Sequence, residues 1–195
     1  MSAVRNLHED MYTYRRYCEE LDDGNRYEII DGVPYLMVAP FRRHQRILGE
    51  IYGRLYNYLQ GKPCEVFVAP FDVRLAIYDE TGDDVINIVQ PDVMVFCDEN
   101  KHDEKGGIAA PDITIEILSP STMQNDRYRK YNLYEKAGVR EYWIVDGANK
   151  TVEIFVLENE KFTLRDFLLN EDIITSSVLE SLKIKVSDIF ADSFE

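Results

Sequence analysis

Three charged residues stand where charge is costly. Asp92 follows Pro91 and opens the apolar run Val93-Met94-Val95-Phe96, and Glu116 lies inside Ile113-Thr114-Ile115-Glu116-Ile117-Leu118. Lys130 falls on a helix-like stretch that ends at Gly138. A charge in such surroundings needs a partner, a hydrogen-bond network or a metal. Two carboxylates on neighbouring strands, with a lysine nearby, are the parts of a magnesium-dependent phosphodiesterase site. Side chains alternate along a strand, so Asp112, Thr114, Glu116 and Leu118 share one face, while Ile113, Ile115 and Ile117 share the core face. If the strands are neighbours, Asp92 and Glu116 converge and repel, and Mg²⁺ or Mn²⁺ resolves the repulsion. Lys130, Leu133, Tyr134 and Ala137 follow the spacing of one helix face, which puts Lys130 on or beside the inward stripe. The competing account is a packed lysine stem with a wet ammonium, and periodicity weighs the two evenly.

Secondary elements must position these groups. Thr13 caps a short helix through Leu21, and Tyr27–Gly32 with Val33–Val38 reads as a hairpin turning at Asp31-Gly32. The clearest helix is 44–60, with Ile47, Leu48, Ile51, Tyr52, Leu55 and Leu59 at 3–4 residue spacing. Strands are expected at 65–69, 72–77, 92–97 and 112–118, the last two bracketing an acidic, glycine-bearing loop at 98–110. A helix at 125–137 precedes a hairpin of 141–146 and 151–156, and the tail adds two short edge strands and a turn at Ile189-Phe190. Strands outnumber helices, and the long helices lie between strand groups, so the expected class is α/β (α+β) with a mixed sheet.

The chain has 195 residues, 45% of them hydrophobic, which suits one globular domain over 1–195. No apolar run approaches the roughly 18 residues that span a bilayer, so no membrane partner is expected. The first ten residues lack the apolar stretch of a leader. Cys18, Cys64 and Cys97 are odd in number and far apart, and read as free thiols of a cytoplasmic protein. A net charge of −14 speaks against nucleic acid as a partner. Its distribution softens that: residues 41–56 carry Arg42, Arg43, Arg46 and Arg54 against Glu50, and residues 121–140 carry five basic residues against Asp126 and Glu135. Charge alone reads both stretches as solvated helix faces.

Taken together, Pro91-Asp92, Asp112-x-x-x-Glu116-Ile-Leu-Ser119-Pro120-Ser121, Lys130-x-x-x-Tyr134, Ala137-Gly138-Val139 and Glu141-Tyr142-Trp143-Ile144-Val145-Asp146 resemble the Uma-two family of endonucleases. That family belongs to the PD-(D/E)xK, or restriction-endonuclease-like, superfamily. The likeness takes in Tyr27–Gly32, His44-Gln45 and Val68–Leu75 and runs from about residue 13 to 190. It implies a restriction-endonuclease-like core, with a mixed central sheet flanked by helices. It also implies Mg²⁺ (or Mn²⁺) held by Asp92, Glu116 and the main-chain carbonyl of Ile117, a DNA substrate and a homodimer. The superfamily lysine should fall at 118, where this chain has Leu118; the resemblance implies that it has migrated to Lys130. Leu118 and the acidic net charge motivate an alternative, a catalytically silent nuclease fold with a nucleic-acid-binding or regulatory role. A small-molecule phosphoesterase has no glycine-rich phosphate loop to support it.

Second-tier residues carry two readings each. Glu28 faces the site or solvent. His44 opens the main helix and is lifted above a structural role only by the resemblance. Asp112 shares the Glu116 face two pleats away, where anchoring the loop is the larger share. Glu50 lies on the polar face with Arg54. Ser119 and Ser121 shape a turn, and Tyr142 and Trp143 read as one core and one surface residue.

Overall fold

The structure, a computed structural model, describes residues 11–190; the first ten residues, read above for the lack of a leader, and residues 191–195 lie outside them. The chain runs α1 (Tyr14–Glu20), β1 (Tyr27–Ile30), β2 (Val33–Leu36), α2 (Arg42–Leu59), β3 (Glu65–Val68), β4 (Val73–Arg74), β5 (Ile88–Val89) and β6 (Val93–Phe96). It continues with β7 (His102–Asp103), β8 (Gly106–Gly107), β9 (Ile113–Ile117), a π-helical segment Asn125–Lys130 leading into α3 (Tyr131–Ala137), and β10 (Glu141–Asp146). It closes with β11 (Thr151–Glu158), β12 (Lys161–Leu169), β13 (Ile173–Ile174), β14 (Ile184–Lys185) and α4 (Val186–Phe190).

The central sheet has the order β12-β11-β10-β9-β6-β3, with β9 and β10 parallel and the other neighbours antiparallel. Alternation along its strands sends two sets of side chains to opposite faces. On one face Val93, Val95, Ile113, Ile115, Ile117, Trp143 and Val145 meet Ile47, Ile51, Leu55 and Leu59 of α2. Burying those four α2 side chains contributes roughly 6–12 kcal/mol at about 1.5–3 each, which pins the helix that carries His44. On the other face Met94, Phe96, Tyr142 and Ile144 pack with Leu133 and Tyr134, with Ile30, Val73 and Val89 of the second sheet, ordered β2-β1-β5-β4-β8-β7, and with Leu75 just after β4. The expected mixed α+β architecture is therefore present, as sheets flanked by helices.

Several local expectations are corrected. Tyr142 and Trp143 are both fully buried, because both faces of β10 are covered. The stretch 125–137 is not a uniform α-helix: its first six residues are π-helical, and Gly138 ends it in the left-handed region (φ 84°). The strand expected at 72–77 shrinks to two residues, and the loop at 98–110 folds into the small β7–β8 hairpin. The tail supplies one long strand, β12, pairing along all of β11, besides the short β13–β14 ladder and α4.

Cys64 and Cys97 form a disulfide, contrary to the free-thiol expectation, and Cys18 is the free, exposed cysteine. The β3–β6 register pairs Glu65 with Phe96, so the next residues outward, Cys64 and Cys97, face each other across the ladder. The free-thiol argument for a cytoplasmic setting falls with this pairing. Among the described residues no helix is long and apolar enough to cross a membrane.

Candidate active site

The β6–β9 ladder pairs Val93 with Ile115, so one step further Asp92 stands opposite Glu116. The two strands are neighbours, and the carboxylates open into a cleft of about 140 Å³ that Glu28, His44, Asp126 and Lys130 also line. Each group comes from a different element: Glu28 from β1, His44 from α2, Asp92 from the residue before β6, Glu116 from β9, and Asp126 with Lys130 from the π-helical segment.

Asp92 is held on both sides. Its Oδ2 lies 3.0 Å from His44 Nε2 and accepts the Ile117 N–H at 2.8 Å. Burial pulls the His44 imidazole down, but the hydrogen bond and charge of Asp92, the charge of Asp126 and a main-chain bond at Ile117 reverse this and raise its pKa. His44 Nδ1 is buried without a partner among the described residues.

Glu116 is 3% exposed, and its Oε1 accepts from Lys130 Nζ at 2.9 Å and from the Tyr134 hydroxyl at 2.6 Å. Lys130 Nζ also lies 2.8 Å from Glu28 and 3.6 Å from Asp126. Burial pulls the lysine down, yet the three carboxylates outweigh it, so its pKa lies well above the ordinary value. Burial lifts the Glu116 carboxyl well above the glutamate range; Lys130 opposes this, and Asp126, Asp92 and Glu28 add to it. Asp126 is pushed up to about 6, chiefly by burial and against the pull of Lys130, and its Oδ1 is a buried acceptor without a hydrogen bond.

Burial is the largest influence on each of these groups, and the crowding of the carboxylates Glu28, Asp92, Glu116 and Asp126 around Lys130 and His44 is the next. Such a cluster takes up protons or a cation. Among the described residues no three acidic, imidazole or thiolate side chains form a ready metal cage. Two carboxylates plus a main-chain oxygen and water are nonetheless an ordinary donor set for Mg²⁺, which keeps several waters. Asp92, Glu116 and the Ile117 carbonyl are donors of the type that a hard divalent cation takes.

The other residues named from the sequence fall as follows. Asp112 stays outside the cleft and binds the Cys97 N–H (2.9 Å), Lys101 (3.1 Å) and Arg140 (3.2 Å). Burial alone would raise its carboxyl, but these partners hold it below the usual aspartate range. Glu50 pairs with Arg54 at 3.3 Å. Leu118 packs with the face that carries Tyr134. Ser119 joins Ser121 and Thr122 through 3.0 Å hydroxyl contacts in the turn on the cleft rim. Asp126, Tyr134 and Gln90 escaped the sequence reading as site residues. Asp126 and Tyr134 stand four residues either side of Lys130, the one usable signal. Gln90 gives its N–H to Glu28 at 2.9 Å, and no spacing announces it.

A solved structure from Anabaena variabilis, described as a putative nuclease belonging to DUF820, superposes with a TM-score of 0.72 at 21% identity, covering 92% of this chain and 97% of that one. That likeness establishes the fold. An uncharacterized protein of Synechocystis, slr1290, is 28% identical over 131 residues, which are 67% of this chain and 65% of the relative, so the match spans just under two thirds of that protein. The profile of the Uma2 family, described as "Putative restriction endonuclease", matches residues 11–187, and the chain belongs to that family.

Proposed function

We propose that this chain is a divalent-metal-dependent endonuclease that hydrolyses phosphodiester bonds of DNA, acting as a homodimer of one-domain subunits. The observation that carries the reading is the convergence of Asp92, Glu116 and Lys130 in one cleft. Asp92, Glu116 and the Ile117 carbonyl would hold Mg²⁺ or Mn²⁺. The ion supplies charge neutralisation and polarisation at the scissile phosphoryl group. His44 and the Ile117 N–H fix the Asp92 carboxylate, and Tyr134 and Lys130 fix Glu116, so neither must reorganise when substrate arrives. Lys130 supplies the positive charge that offsets charge building on the phosphoryl oxygens. Glu28 and Asp126 keep that ammonium protonated and oriented.

A second reading, a nuclease fold that binds nucleic acid without cutting it, draws on Leu118 and on Lys130 being engaged by three carboxylates. One experiment separates them: nicking of supercoiled plasmid with Mg²⁺ or Mn²⁺ at low salt, with wild type beside Asp92→Ala, Glu116→Ala and Lys130→Ala. Cleavage by wild type that the three substitutions abolish supports the endonuclease. Plasmid binding without cleavage supports the silent fold.

A further inference from the structure

We propose that a second, basic pocket beside the α2 N-terminus binds a backbone phosphate of the substrate strand near the cleavage position; this rests on the nuclease reading above. The first two turns of α2 are divided between two concavities. Phe41, His44, Gln45 and Leu48, spaced as one helix face, line the carboxylate cleft. Arg42, Arg43, Arg46 and Ile47 turn instead to a pocket of about 150 Å³, which Lys150 of the β10–β11 turn closes from the other side. The two concavities adjoin along α2, since His44 lines the first and Arg43 the second, so one strand could contact both.

Charge singles the pocket out. The chain carries 36 acidic residues against 22 basic ones, yet Val33–Gly49 contains no Asp or Glu. Arginines elsewhere are mostly committed to carboxylates: Arg54 to Glu50, Arg74 to Asp103, Arg127 to Glu153, Arg140 to Asp112. Arg42, Arg43 and Lys150 are exposed and have no acidic partner among the described residues. The carboxylate nearest in the turn, Asp146, is spent on the turn itself, accepting from the Ala148 and Asn149 N–H groups and the Asn149 side chain. Arg42, Arg43 and Lys150, like charges that line one pocket, repel, and a phosphate relieves that. Guanidinium groups suit it best, since their planar fork meets two phosphate oxygens at once.

The two walls are held in register by close packing. A Cβ at Gly147 would stand 2.6 Å from Ile47 Cδ1 and 3.4 Å from Arg43 Cδ, so the turn lies directly against α2 there. Arg43 and Lys150 line the one pocket from these two packed walls.

The test is binding of a fluorescent duplex oligonucleotide in EDTA, followed by anisotropy over a salt series, so that cleavage plays no part. Wild type is compared with Lys150→Glu, Arg42→Glu/Arg43→Glu and, as a charge control on the exposed Lys183 outside the pocket lining, Lys183→Glu. The proposal expects each pocket variant to bind at least tenfold more weakly and to lower the log–log salt slope by roughly one for every phosphate it no longer neutralises, with the control matching wild type. Lys150→Glu leaves α2 untouched, so it decides the matter if the double variant misfolds. Pocket variants that behave like Lys183→Glu overturn the anchor while leaving the nuclease reading intact. Wild type that fails to bind even at low salt overturns both.

Discussion

Lys130 Nζ and Glu116 Oε1 meet at 2.9 Å with both side chains almost fully out of solvent. An ion pair so placed is maintained by its surroundings, since desolvating each charge costs several kcal/mol. Glu28 and Asp126 on one side and Tyr134 on the other complete the network.

Removing one partner leaves the others unmatched. Lys130→Ala is expected to lower stability by about 3–5 kcal/mol, read from urea unfolding at neutral pH. The variant's carboxylates then repel without relief, so added Mg²⁺ should raise its midpoint more than that of wild type. A Lys130→Ala protein as stable as wild type would show that the pair is idle.

Tyr134→Phe tests the support of the metal-holding carboxylate. The ring stays in the core and only the hydroxyl that reaches Glu116 is removed. Residues behind a metal ligand typically change affinity about 10–100-fold when altered. Calorimetric Mg²⁺ or Mn²⁺ titration should show a loss in that range, with His44→Gln behaving alike through Asp92. Unchanged affinity in both variants would remove the orienting role assigned to them.

Asp92, Glu116 and Lys130 were legible in the sequence because charged side chains interrupt apolar runs, and nothing but tertiary partners can justify that. The core face of α2 was legible for the same periodic reason. Asp126 was not, because an acid beside basic residues at a helix start looks solvated until something covers it. Glu28 stayed ambiguous because strand alternation says which face a residue takes and not what lies over that face. For the same reason alternation makes one of Tyr142 and Trp143 a surface residue, whereas both faces of β10 are covered and both side chains are buried. The Lys130 face was read from α-helical spacing although the preceding turn is π-helical; the reading survived because Lys130 is the last residue of that segment and Tyr134 follows in regular α-helix.

The Cys64–Cys97 bond depends on a strand register that no local pattern announces. It closes a loop with a sequence separation of 33, for which restriction of the unfolded chain contributes roughly 3–4 kcal/mol. Cys64→Ser should lose about that much in oxidising buffer. With reductant present, wild type and variant should unfold at the same denaturant concentration. A gap that persists under reduction would mean that the serine disturbs packing and the bond contributes little.

Asp112 contributes a pH dependence of definite sign. Its folded carboxyl lies below the ordinary aspartate value because the Cys97 N–H, Lys101 and Arg140 favour the charged form over the cost of burial. The folded state therefore releases this proton more readily than the unfolded chain. The stabilisation is complete above the unfolded pKa, near 3.9 for an ordinary aspartate, and is lost as pH falls through the lower folded value. Asp112→Asn should cost about 2 kcal/mol at pH 7, the scale of hydrogen bonds to a charged group. The deficit should shrink as both proteins are acidified below about pH 4. Urea midpoints of the pair across pH 2–7 would reveal it. A constant difference over that range would assign the loss to altered shape and not to charge.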